Sequence, residues 1–99
     1  MTREYMVVFE KGVGNWSGFS PDVPGCGSLG DTLDEVREDM RAAMELYMRE
    51  TAKAGEEFPV PAAKSVDFDE FDPQRETKHY VVEWLSIRMP QPVSETQAA

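Results

Sequence analysis

Pro21-Asp22-Val23-Pro24-Gly25-Cys26-Gly27-Ser28-Leu29-Gly30-Asp31-Thr32-Leu33-Asp34-Glu35 is the stretch on which the fold turns. Pro21 and Pro24 each fix φ and remove a backbone donor, which predicts a strand end followed by a rigid turn. Gly25, Gly27 and Gly30 permit backbone shapes closed to other residues. Thr32-Leu33-Asp34-Glu35 has the T-x-x-E form of a capping box, which marks a helix start.

Working outward, the helix is predicted from about Leu33 to Ala54. Leu33, Val36, Met40, Ala43, Met44, Tyr47 and Met48 recur at helical spacing and form one apolar stripe. Asp34, Glu35, Glu38 and Asp39 crowd its start, Arg49 and Lys53 its end, and both placements suit the helix dipole. Gly55 is a stop signal. Upstream, Glu4 to Glu10 alternates as a strand, with Tyr5, Val7 and Phe9 on one side and Met6 and Val8 on the other. Lys11 to Asn15 has hairpin chemistry, so Trp16 to Ser20 is a second, antiparallel strand. Residues 26–29 make a short third strand and Lys78 to Ile87 the last one.

Residues 1–88 therefore read as one α+β domain, an antiparallel β-β-β-α-β core with one long helix packed on the sheet. Residues 89–99, with Pro90 and Pro92, read as a flexible C-terminal tail. One helix covers one face of a sheet, yet the first and last strands are apolar on both sides. The second face needs cover, either from the long acidic connection 56–77 with Phe58, Phe68 and Phe71, or from another chain. A homo-oligomer, dimer or tetramer, is expected on this ground.

The 99 residues carry 19 acids against 10 lysines and arginines, a formal net charge of -9. Such a field repels phosphates and attracts basic partners. No cluster of Lys and Arg supplies the footprint of a nucleic-acid binder. A single cysteine, Cys26, excludes an internal disulfide and a multi-cysteine zinc site. No apolar run has the length of a membrane span, and the N-terminus lacks a signal peptide's apolar core. A cytoplasmic location with no membrane association is expected.

Gly25 to Gly30 matches G-x-G-x-x-G, but a dinucleotide site needs that turn after a buried parallel strand. Here two prolines precede it, and Asp31, Asp34 and Glu35 sit where a pyrophosphate would lie. Asp67, Asp69 and Asp72 lack the third ligand and the glycine of a calcium loop. His79 has no nucleophile or orienting partner nominated by the sequence, and Cys26 has no paired His or Asn. Glu4, Glu10 and Glu83 are the only strand carboxylates for a two-metal nuclease site. No catalytic residue, cofactor or metal is assigned, and the protein is not expected to be an enzyme.

Pro21-Asp22-Val23-Pro24-Gly25-Cys26, followed by Gly30-Asp31-Thr32-Leu33 and Glu35, resembles the core of the HicB-like antitoxin family. Ala43-Met44-Glu45-Leu46-Tyr47, Gly55 and Phe58-Pro59-Val60-Pro61 resemble the same family's helix end and following loop. The resemblance spans roughly residues 4–61, with a weaker match at the last strand. It implies a truncated RNase H fold in degenerate, non-catalytic form. It also implies an antitoxin that binds and occludes a small basic RNA-cleaving toxin of the HicA type.

The charge agrees, because an acidic protein masks a cationic RNA-binding face and associates quickly with it. Candidate contacts are Asp67, Asp69, Glu70 and Asp72 in the acidic loop, and Glu38 and Glu45 on the exposed helix face. Many family members carry a C-terminal DNA-binding domain. Only twelve residues follow Ile87 here, without amphipathic period, so no specific DNA binding is expected. The alternative is a stand-alone HicB-like binding or scaffold domain without a toxin partner.

Overall fold

The chain alternates by twos in its strands and by three-and-four in its helix, and the fold keeps both periods. A computed structural model describes residues 1–65 and 79–90. The elements are β1 (Thr2–Lys11), β2 (Trp16–Phe19), β3 (Gly27–Gly30), α1 (Leu33–Lys53) and β4 (His79–Arg88). This is the expected β-β-β-α-β order, with boundaries moved by no more than two residues. The strands form one antiparallel sheet in the order β3-β2-β1-β4. β1 is its long central strand, pairing with β4 over ten residues from Thr2↔Arg88 to Lys11↔His79.

The alternation of β1 decides which face meets the helix. Tyr5, Val7 and Phe9 are fully buried against Val36, Met40, Met44 and Met48 of α1, with Leu85 and Ile87 of β4 beside them. Val23, from the turn, and Met89, after β4, complete that core. Gly18 of β2 lies under the helix because a Cβ there would meet Ser28 Oγ at 2.6 Å and the Phe9 ring at 2.9 Å. Burial on this scale, at about 1.5–3 kcal/mol for each large apolar side chain, is the main source of stability.

On the opposite face Met6 and Val8 are also buried. Leu29, Val82 and Trp84 are exposed, Trp84 by 51 %. Ser20 ties the end of β2 to β1 by donating its hydroxyl to Met6 O at 2.7 Å. Phe58 departs from expectation. It packs on the helix-side core rather than on the second face, because its neighbour Pro59 is fastened there. Tyr5 donates its hydroxyl to Pro59 O at 2.7 Å, and the Arg3 guanidinium sits 5.7 Å over the Phe58 ring. Phe68 and Phe71 lie outside the described residues.

Candidate partner-binding surface

The Pro21 to Glu35 stretch folds as two linked turns, a short edge strand and a helix cap. Val23 N–H donates to Ser20 O and Cys26 N–H to Val23 O, which coils the chain around the buried Val23 side chain. Gly25 closes the turn at φ +86°, a left-handed conformation that favours glycine. Asp22 turns its carboxylate across the fold and accepts the N–H groups of Ala62 (2.9 Å) and Ala63 (2.8 Å). The turn is thereby a clamp on the segment that follows the helix.

Gly30 stands where β3 meets the helix start. A Cβ at this position would lie 2.6 Å from Val36 N, which is backbone and cannot move aside. Thr32 is the N-cap, its Oγ1 accepting from Glu35 N–H at 3.1 Å. The box is closed differently from its usual form: the Glu35 carboxylate accepts the Thr32 hydroxyl proton rather than a backbone N–H. At the far end Gly55 N–H reaches Ala52 O and Glu56 N–H reaches Thr51 O, with Gly55 at φ +70°. These are the two bonds of a Schellman stop.

The G-x-G-x-x-G glycines are thus consumed by a turn and an antiparallel strand, with no phosphate-cradling loop between strand and helix. Cys26 is half-buried beside the core, and burial pushes its thiol pKa up, which disfavours the nucleophilic thiolate. His79 is exposed at the start of β4. Among the described residues no three His, Cys, Asp or Glu groups converge to hold a metal ion.

The helix carboxylates have structural partners. Glu38 pairs with Arg41, Asp34 with Arg37, and Glu50 with Lys53. Arg37 also makes a two-pronged contact with Glu83 of β4, Nε to Oε1 at 2.8 Å and the terminal nitrogen to Oε2 at 2.7 Å. That contact holds the Glu83 carboxyl below the usual range and the guanidinium above its own. Asp39 accepts Leu29 N–H at one sheet edge (3.2 Å), and Glu45 accepts Arg88 N–H at the other (3.4 Å).

Of the candidate contacts, then, Glu38 lies exposed on the outer helix face, while Glu45 is half-buried and reaches toward β4. Asp67, Asp69, Glu70 and Asp72 lie outside the described residues. The candidates omitted Leu46, a large apolar side chain 51 % exposed on the outer face of the helix, next to exposed Ala42. Its signal was spacing: Leu46 falls midway between Met44 and Met48 of the buried stripe, off that stripe's face.

One helix on a four-stranded antiparallel sheet, with a clamped turn and a partly apolar outer surface, makes this an α+β domain. The sequence matches the family described as HicB_like antitoxin of bacterial toxin-antitoxin system over residues 5–97. The chain belongs to that family. No curated protein matches it by sequence.

Solved structures share the fold. The N-terminal domain of the Burkholderia pseudomallei antitoxin HicB is similar at TM-score 0.67 and 22% identity, over 88% of this chain and 100% of that one. The longer B. pseudomallei HicB gives TM-score 0.69 and 22% identity, over 90% of this chain but 64% of its own length. A chain of the HicA3 and HicB3 toxin-antitoxin complex gives TM-score 0.60 and 19% identity, over 90% and 100%.

Proposed function

We propose that this protein is an antitoxin that binds a small basic HicA-type RNA-cleaving toxin and blocks it by occlusion. The observation that carries the reading is the family match across residues 5–97. The likeness to a chain of the HicA3 and HicB3 complex supports the same class of partner. Charge supports the mode of action. A net -9 protein competes with RNA for the cationic groove of such a toxin and speeds encounter with it.

The contact surface combines the outer helix face, Glu38 with the apolar Ala42 and Leu46, and the acidic segment Asp67, Asp69, Glu70 and Asp72. Glu45 contributes at its edge. The protein acts in the cytoplasm as a homo-oligomer, performs no catalysis and does not read duplex DNA specifically. No described helix is long and apolar enough to cross a membrane. The test is co-expression with a small basic RNA-cleaving toxin of the HicA type. Growth rescue with co-purification is expected. Neither rescue nor co-purification would overturn the reading and leave the scaffold alternative in front.

A further inference from the structure

An antiparallel sheet has two edges, and alternate residues of an edge strand turn their N–H and C=O outward. At β4 the direction of each group follows from its ends. Met89 N–H donates inward to Met1 O, while Arg88 N–H points outward to Glu45. The N–H groups of Val82, Trp84 and Ser86 therefore also point outward, and none has a partner among the described residues. Their side chains share the face opposite the helix and are exposed.

Edge strands are usually blunted by proline, lysine, a bulge or shortness. β4 has none of these, and its helix-side carboxylate, Glu83, is held by Arg37: HYVVEWLSIR runs ten residues in unbroken register with β1.

We propose that two copies of this chain pair their β4 strands antiparallel about a two-fold axis at Trp84, joining two four-stranded sheets into one of eight. This rests on the self-association proposed above and gives it a surface and a register. Two symmetric registers use nearly the whole strand. One has its axis at Glu83 and sets two carboxylates directly opposite each other. The other has its axis at Trp84 and sets the indoles opposite each other, Val82 opposite Ser86 of the second copy, and Val81 opposite its Ile87. Like charges facing across strands destabilise, whereas aromatic and β-branched pairs stabilise, so the Trp84 register is selected.

The test uses the full chain without toxin. Sedimentation and light scattering should show a wild-type dimer. Ser86→Pro removes one outward N–H that no group among the described residues accepts, and places a ring in the path of an incoming strand. It should keep the wild-type circular dichroism spectrum while weakening dimerisation at least tenfold. In a Cys26→Ser background, the double variant Val82→Cys/Ser86→Cys should form a covalent dimer on oxidation and Val82→Cys alone should not. Hydrogen-bonded antiparallel residues have Cα atoms about 5.5 Å apart, within disulfide reach.

A wild-type monomer at every concentration would overturn both the pairing and self-association. A folded Ser86→Pro that dimerises undiminished, or a Val82→Cys/Ser86→Cys variant that is dimeric yet does not cross-link on oxidation, would overturn the pairing alone. Should Ser86→Pro fail to fold, the two cysteine variants decide. Toxin rescue, read separately, is untouched by either result.

Discussion

β3, at one edge of the sheet, is four residues long, bounded by Gly27 and Gly30, and held under the start of the helix. β4, at the other edge, is ten residues long and tied to the helix at Glu83 and Arg88. Both strands are tethered by carboxylate chemistry from the same helix, Asp39 on one side and Glu45 on the other. The difference is in how much edge is left over. The short strand offers few outward groups, one of which, Leu29 N–H, is bonded to Asp39, whereas the long one keeps a run from Val82 to Ser86 without partners among the described residues.

The largest expected effect tests the closed side. Gly30→Ala sets a methyl against Val36 N and should lower unfolding stability by about 2–3 kcal/mol, as overpacking against fixed backbone does. Urea denaturation reads it, and an unchanged midpoint would show that β3 and the helix start are not rigidly joined. Thr32→Ala should cost about 0.5–2 kcal/mol through loss of the N-cap. A midpoint equal to wild type would move the helix start elsewhere.

On the open side the expected signal is a pH dependence. Glu83 has its folded pKa lowered, first by the hydrogen bonds from Arg37 and then by its charge. Its contribution is therefore present above the unfolded carboxylate pKa and is lost as pH falls through the lower, folded value. Glu83→Gln should destabilise by about 1 kcal/mol at neutral pH and flatten the acid limb of the stability profile. Identical acid limbs in the two proteins would remove the pair from the account. The smallest effect is at Asp39. Asp39→Ala should cost about 0.5 kcal/mol, and Asp39→Asn, which keeps an acceptor for Leu29 N–H, should stay near wild type. A larger loss in Asp39→Ala would make β3's tether a principal fastening.

Where the information is local, the chain can be read directly. T-x-x-E placed the helix start at Leu33, Gly55 placed its stop, and the alternation of Tyr5 to Phe9 assigned the two faces of β1. What was not legible depends on contacts distant in sequence. Asp22 was singled out as part of a motif, but its bonds to Ala62 and Ala63 span forty residues and leave no periodic trace. Arg37 and Glu83 each look like ordinary solvated charges until β4 is placed beside β1. Phe58 was one of two alternative covers for the second face, and its place on the helix-side core depends on the bonds from Tyr5 and Arg3 to Pro59, which leave no local trace. Of the candidate contacts, Glu38 was accessible to sequence reasoning through polar helix phase, whereas the significance of Leu46 required seeing which way the stripe faced.

The helix stripe is filled by Met40, Met44 and Met48, all fully buried, with Met6 and Met89 nearly so; Met1 alone is freely exposed, at 82 %. Thioether sulfur is oxidised readily when reached by peroxide, and the sulfoxide is polar and no longer suits an apolar interior. At its methionines the native protein should therefore take up a single oxygen atom quickly, at Met1. Each further addition would record an opening of the core that sealed the damage in, making the five shielded sulfurs a chemical clock for how often the domain comes apart.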